Sequence, residues 1–444
     1  MPQWLTRHKW LLIVGAVSVG LLIFAACNGD DDDDGDGVTP ADGETPAVTG
    51  GPLKIGMLSA FTGGLSDFGP NLEDAAKLAA KEINANGGVL GQDIEIVTGD
   101  TGTDPSQGVT EATRLVEVEQ VHAIVGALSS GVTLPVVESV TGPGNILQIS
   151  PASTSVALIE ANDNDFFFRT TISDLAQGGV LATLAEAAGL ASVCTMYVNN
   201  AYGQGLSELF AEEFEAAGFT VPAQVPHEEE LTTYASELDT CVAEGPDALV
   251  AIAYPESAGV FLREAVERGD VDTFLFVDGT KSGDMFAELG WPDALDGMKG
   301  TAPGFLSVSA GTAFDERFAA EYGETPALPF LRETYDAVYL IALAAEAAGS
   351  TDPTAIRDAL RDVAGPEGEI VEPGPEGYTA ALALIADGEE INYEGAAGPV
   401  DFDDVGDVLV GAIETWHVDA ATETLISDES FKVDLTTGEV TKIE

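Results

Sequence analysis

From Leu53 onward, short apolar runs alternate with stretches whose apolar residues recur at helical spacing. That alternation restricts the chain to parallel sheet covered by helices on both faces. Lys54 to Leu58 reads as a strand and Asn71 to Asn84 as a helix, with Leu72, Ala75, Ala76, Ala79 and Ile83 on one face. Gly87 and Gly88 then act as a stop. Ile94 to Val97, Ala123 to Leu128 and Ile146 to Ser150 are further strands, and a helix runs through Val109, Ala112 and Val116. A second alternating block begins after Arg169, with strands at Ser192 to Val198, Ala248 to Tyr254 and Thr273 to Val277. Helices at Gln204 to Ala217 and Ser257 to Arg268 separate them. After Thr301 come three helical stretches, including Phe330 to Gly349 and Asp352 to Val363, then a Gly/Pro/Glu-rich loop near Gly365 to Gly377. Strand-like segments around Val408 to Val418 and Phe431 to Val433 close the pattern. A payload of about 390 residues is too long for one core, so two domains are expected.

The first residues set the compartment. Arg7, His8 and Lys9 precede an apolar run from Trp10 to Ala26, and the small residues Ala25 and Ala26 lead into Cys27. This is the pattern of a secretory signal over residues 1–26, the other reading being an uncleaved N-terminal anchor. Either way the remainder lies outside the cytoplasm. Residues 27–52 are rich in Asp, Gly, Thr and Pro, with Asp30 to Asp34 unbroken, and form an extended acidic leash.

Charge excludes one class of partner. The chain has 17 Lys+Arg against 76 Asp+Glu, a formal net charge of −59. Phosphate binding needs a basic surface, so no nucleic-acid partner is expected. The acidity keeps the protein soluble and fits a salty habitat, although acidic surfaces also occur without one. An anionic solute would have to overcome this field, whereas a zwitterion or neutral solute would not. Beyond Cys27, Cys194 and Cys241 form an even pair in an oxidising compartment, either bridged or as two separate buried thiols. With no CxxC, no Cys/His cluster and only four histidines, neither a metal site nor a cofactor is expected.

Several segments carry a family resemblance. Ile55-Gly56, Phe61-Thr62-Gly63, Phe68-Gly69 and Glu82-Ile83-Asn84 are followed in order by Gly126-Ala127-Leu128-Ser129-Ser130 and Ile149-Ser150-Pro151-Ala152-Ser153-Thr154. Tyr202-Gly203-Gln204-Gly205 and Tyr335-Asp336-Ala337 complete the series. In order and spacing the chain resembles the type I periplasmic binding proteins, specifically the leucine/isoleucine/valine-binding branch that serves ABC transporters. The resemblance implies an α/β fold of two doubly wound parallel-sheet lobes joined by three hinge strands. Lobe one would comprise 53–169 plus 301–397, and lobe two 170–300 plus 398–444. Crossings would fall near Arg169-Thr170, Gly300-Thr301 and Gly398-Pro399. Phe24-Ala25-Ala26-Cys27 resembles a lipoprotein box with Phe24 in place of the usual Leu. That implies lipidation of Cys27 and attachment to the membrane surface. A monomer that docks on an ABC transporter permease is expected.

Amino-acid capture needs donors for a carboxylate, an acid for an ammonium and a pocket for the side chain. Ser129 and Ser130 follow a strand and open a helix, where hydroxyls and free backbone N–H groups gather, and Ser150 to Thr154 repeats the arrangement. Both are turns at the carboxyl ends of parallel strands, where open α/β sheets bind ligands. Ordinary helix capping is the alternative. The resemblance implies that Ser130, the Ala152 backbone and Thr154 hold the ligand carboxylate, with Ser129 and Ser153 beside them. Asp278, ending a strand before Gly279-Thr280, is the candidate ammonium partner, and Glu256 is its competitor. The family commonly has Glu at the Asp278 position, so the reach is shorter here. Tyr202 matches a ligand-touching tyrosine of the second lobe, Phe68 matches a cleft aromatic that is often Tyr, and Tyr254 is expected in the side-chain pocket. These departures leave amides, amides of the urea type and aromatic acids open as ligands beside branched-chain amino acids.

Two other functions are alternatives for such a chain. Tyr202-Gly203-Gln204-Gly205 fails as a dinucleotide fingerprint because Glu208 takes the place of the third glycine. No Walker A, Gly-x-Ser-x-Gly or HExxH pattern is present, and His122 and His227 have no evident nucleophile partner, so catalysis is not expected. A sensor component would use the same fold to report ligand rather than deliver it.

Overall fold

The computed structural model describes residues 51–306 and 308–443. The expected signal segment, Cys27 and nearly all of the acidic leash lie outside these residues. Two separate sheets organise the chain. The first is wholly parallel, in the order β2-β1-β3-β4-β5. Its strands are β1 (Lys54–Ser59), β2 (Glu95–Asp100), β3 (Ala123–Gly126), β4 (Leu147–Ser150) and β5 (Phe167–Arg169). β3 and β4 are buried throughout, as expected of strands covered on both faces. Helix Leu331–Ala348 lies against helices Gly69–Ala85 and Pro353–Val363 and is apolar on nearly every side, which fits an element enclosed by others.

The second sheet has eight strands. β6 (Val193–Val198), β7 (Gln224–His227), β8 (Ala248–Ile252), β9 (Phe274–Phe276) and β10 (Lys299–Gly304) run parallel. Beyond the short pair β11 (Glu369–Val371) and β12 (Ile391–Tyr393), three more strands join this sheet: β13 (Val410–Asp419), β14 (Thr424–Asp434) and β15 (Glu439–Lys442). They add antiparallel to β10 and to one another, giving β15-β14-β13-β10-β9-β8-β6-β7. The second lobe is therefore a parallel α/β sheet with an antiparallel extension. Gly300 and Thr301 lie inside β10, and the chain leaves the second sheet only after Gly304.

Three segments pass between the sheets. One follows β5, one follows β10, and one precedes β13. The first and third lie side by side through the Ile172–Val408 bridge. Arg169 fastens them. Its guanidinium is fully buried and pairs with Asp407 through two bonds of 2.6 Å each, while Nη1 donates to the Ser153 and Ser155 carbonyls at 3.2 and 2.9 Å. Cys194 and Cys241 form a disulfide, Cα atoms 5.6 Å apart, tying β6 to the helix Ala235–Val242.

Candidate ligand-binding cleft

The turn after β3 carries Ser129 and Ser130 toward the second lobe. Ser129 sits at the N-cap of helix Ser130–Val136 but does not cap it. Its hydroxyl instead pairs with the Tyr254 hydroxyl across the cleft, 2.9 Å away. Tyr254 also accepts from Asn200 Nδ2 at 3.2 Å, and Asn200 caps helix Ala201–Ala216 by accepting from the Tyr202 and Gly203 amides. Two further contacts span the lobes. Ser155 Oγ donates to the Ala201 carbonyl at 2.8 Å, and Ser282 Oγ to Asp67 Oδ2 at 2.5 Å. The cleft is closed.

A narrow space remains between the lobes. Ser130, Ala152, Phe68, Tyr202, Tyr254 and Asp278 all line it, so six of the residues singled out in the sequence converge there. The apolar part of the wall comes from Leu65, Leu72, Leu128 and Phe330; Leu128 lies in a segment that carries the family resemblance, whereas nothing in the sequence marked Leu65 or Phe330. Phe330 holds φ +74°, a left-handed conformation that costs a residue with a Cβ about 1–2 kcal/mol. The turn places its ring in the cleft wall.

The remaining sequence candidates play other parts. Ser153 Oγ is engaged with the Ala127 and Leu128 carbonyls and with Thr133 Oγ1. It shapes the turn rather than facing the space. Thr154 is buried, and its hydroxyl lies near Asp174 without a well-formed hydrogen bond among the described residues. Glu256 is exposed at the start of helix Pro255–Arg268 and does not line the cavity.

Asp278 accepts from Tyr202 OH at 2.7 Å and from Gln177 Nε2 at 2.8 Å, and Tyr202 and Tyr254 stack with centroids 5.7 Å apart. Burial pushes the Asp278 carboxyl up to about 6, against the opposing effect of these two donors. Beside it is a second carboxylate that the sequence reading missed. Asp174 opens helix Asp174–Ala187 after the Ser173 cap and is fully buried, with the Thr154 hydroxyl near it but no well-formed hydrogen bond to either oxygen among the described residues. Burial holds its carboxyl well above the usual range and the nearby Asp278 charge adds to this, while Thr154 and Arg169 oppose. In sequence Asp174 looks like an ordinary first-turn acid, and only its depth distinguishes it. Gln177 Oε1 and Thr171 Oγ1 are likewise buried without partners.

This arrangement has a chemical direction. Asp278 lines the space among hydroxyl and amide donors, Asp174 lies near it, and among the described residues no cation is hydrogen-bonded to either carboxyl. Ser130 and the turn at Ala152 to Thr154 lie on the opposite lobe. Such a site suits a small molecule with a positive group at one end and an acceptor at the other.

Comparison with known proteins agrees with this architecture. The family described as "Periplasmic binding protein" matches residues 52–404. The chemotactic signal transduction system substrate-binding protein BasB of Halobacterium salinarum is 30% identical over 84% of this chain and 89% of its own length. The leucine-, isoleucine-, valine-, threonine-, and alanine-binding protein of Pseudomonas aeruginosa is 29% identical over 70% of this chain and 82% of its own. In fold the chain is similar to the branched-chain amino acid transporter substrate-binding protein LivJ of Streptococcus pneumoniae, solved with isoleucine. Identity there is 23% and the TM-score 0.70, covering 88% of this chain and 100% of that one. The chain belongs to the type I periplasmic binding proteins of the Leu/Ile/Val-binding family, a non-catalytic class of extracytoplasmic solute-binding proteins associated with ABC transporters.

Proposed function

We propose that this protein captures a branched-chain or related amino acid and presents it to an ABC transporter permease. The observation that carries this reading is Asp278, a buried carboxyl that lines an otherwise apolar space opposite Ser130 with no cation bonded to it among the described residues, and with the buried Asp174 carboxyl near it. The ligand ammonium takes the place of the missing cation. Its carboxylate meets Ser130, the Ala152 backbone and Thr154, and its side chain rests on Leu65, Phe68, Leu72 and Phe330. Closure brings Tyr202, Tyr254, Asp174 and Asp278 against a ligand first held by lobe one, through rotation about the three crossing segments. Ligand shifts that equilibrium only through its better contacts in the closed form.

The lobes are taken as 53–169 plus 305–397 and 170–304 plus 398–444, the second crossing being moved from 300–301 to the end of β10, and act as one monomeric clamp. A lipid on Cys27 would tether it to the membrane surface, and Cys27→Ser should release it to the soluble fraction. Delivery to a sensor is the second reading, favoured by the similarity to a chemotactic substrate-binding protein. Stimulation of a permease-linked ATPase by the loaded protein separates the two.

Thermal shifts test the ligand. A ligand at about 100 times its Kd stabilises by roughly 2.7 kcal/mol. Leucine, isoleucine or valine should raise Tm, and N-acetyl-leucine, which lacks the ammonium, should not. A response confined to amides or aromatic acids would overturn the ammonium assignment.

A further inference from the structure

A second and larger cavity adjoins the cleft and shares Phe330 as a wall with it. It is bounded by the end of β10, the helix Val308–Tyr322, the start of helix Leu331–Ala348 and Glu414 of β13. Phe305, which also lines it, is 40% exposed, so the cavity is reached from solvent. Most of its charges are already matched. Lys281 pairs with Glu414, and Arg332 Nη2 donates to Asp315 at 2.6 Å while its guanidinium covers the Phe305 ring.

Glu333 is not matched. It is 5% exposed and lines the cavity, and among the described residues its carboxyl is bonded only to its own backbone N–H. A carboxylate in such a place lacks a cation, and the adjacent walls are the buried rings of Phe314 and Phe330 with Leu328 and Pro329. A carboxylate with aromatic and aliphatic walls is complementary to an ammonium on a short apolar tail.

We propose that this cavity binds a small primary ammonium ion with a short apolar tail, held by Glu333 and walled by Phe314 and Phe330, at a site separate from the cleft. The groups facing Glu333 set its pH behaviour. Burial pushes its carboxyl up to about 8, Asp336 and Glu414 add to the rise, and its own N–H and Arg332 oppose it. Lys281 and Asp315 also line the cavity, each within an ion pair. The amine stays charged to about pH 10, so affinity should rise from pH 7 to 9 as Glu333 ionises.

Calorimetry with n-butylammonium chloride on the purified protein at pH 8.5, referenced to equal sodium chloride, tests the proposal. One equivalent should bind. Glu333→Gln should weaken binding by at least about 30-fold, the loss expected when one partner of a buried charge pair is removed. Leu328→Trp, which fills the cavity from a half-buried position, should abolish it, and an excess of leucine, which on the reading above occupies the cleft and its ammonium site, should leave it unchanged. Three results would each overturn the proposal: no binding, binding that survives Glu333→Gln as general attraction to an acidic surface, or binding displaced by leucine.

Discussion

Replacing Asp278 by Asn removes one negative charge while keeping an oxygen that can accept from Tyr202 OH and Gln177 Nε2, at 2.7 and 2.8 Å in the native protein. The geometry of the site should survive, so the change reports on charge alone. In the closed, empty cleft the Asp278 carboxyl is raised from 3.8 to about 6. A shift of about two units corresponds to roughly 3 kcal/mol against the ionised form. The sign follows from linkage. The raised value favours the empty closed form at acid pH, and that support is lost as pH rises through 6. A bound ammonium reverses the preference because it needs the ionised carboxylate. Leucine affinity should therefore fall as pH is lowered from 7 to 5, and Asp278→Asn should reduce this dependence, leaving the part due to Asp174. At pH 7 the substitution should cost about 2–5 kcal/mol of binding, a 30-fold or greater rise in Kd. Calorimetry with leucine and with 4-methylpentanoate, the same skeleton without the amine, completes a double-mutant cycle. A coupling near 2 kcal/mol or above is expected. Equal losses for both ligands would refute the ammonium contact and leave Asp278 a structural role only.

Three other perturbations probe the frame around the site. A Cβ on Gly131 would lie 2.9 Å from the Asn200 Cβ across the cleft, so Gly131→Val should wedge the lobes apart. Ligand affinity should fall at least about tenfold and solution scattering should show a larger radius, with the lobes still folded; an unchanged radius would contradict the closed contact. Asp407→Asn breaks the buried pair with Arg169 and should cost about 3–5 kcal/mol, read as a lower urea midpoint. A loss under about 1 kcal/mol would mean that water compensates for the missing charge. Replacing Cys194 and Cys241 together by Ser opens a link spanning 47 residues and should cost about 4 kcal/mol on chain-entropy grounds. The melting of the second lobe should carry that loss.

Most of the frame could be read from the sequence because its signals are local. Helix Gly69–Ala85 and strands β1, β3, β6 and β8 fall close to where periodicity and apolar runs place them. The ligand turns were visible for the same reason, since Ser129-Ser130 and Ser150 to Thr154 each follow a strand immediately. Asp174 was invisible because its importance rests on burial and on the approach of Asp278, 104 residues later in the sequence. Helix Asp174–Ala187 itself has apolar and small residues on all sides, so it lacks the one-sided pattern that reveals a surface helix. The antiparallel attachment of β13 to β10 was equally hidden, because strand direction depends on the partner and not on the strand's own residues. Phe330 depended on backbone geometry, a left-handed residue after Leu328-Pro329 that no periodicity reports.

The interleaving of the two lobes has a consequence for biogenesis. Helix Leu331–Ala348, central to the first lobe, is made after β6 to β10 of the second. Trp416, fully buried on β13, completes the second lobe by stacking on Phe276 at 5.7 Å and meeting Phe286 edge-on at 6.3 Å. The first core waits for helix Leu331–Ala348, and the second cannot be finished by a ribosome-bound chain that has yet to reach residue 416. Domains usually fold one after another during synthesis, and an order this non-local delays that step until nearly the whole polypeptide is available. A chain held unfolded until late suits passage through a narrow export channel, and it leaves both lobes to fold together on the far side.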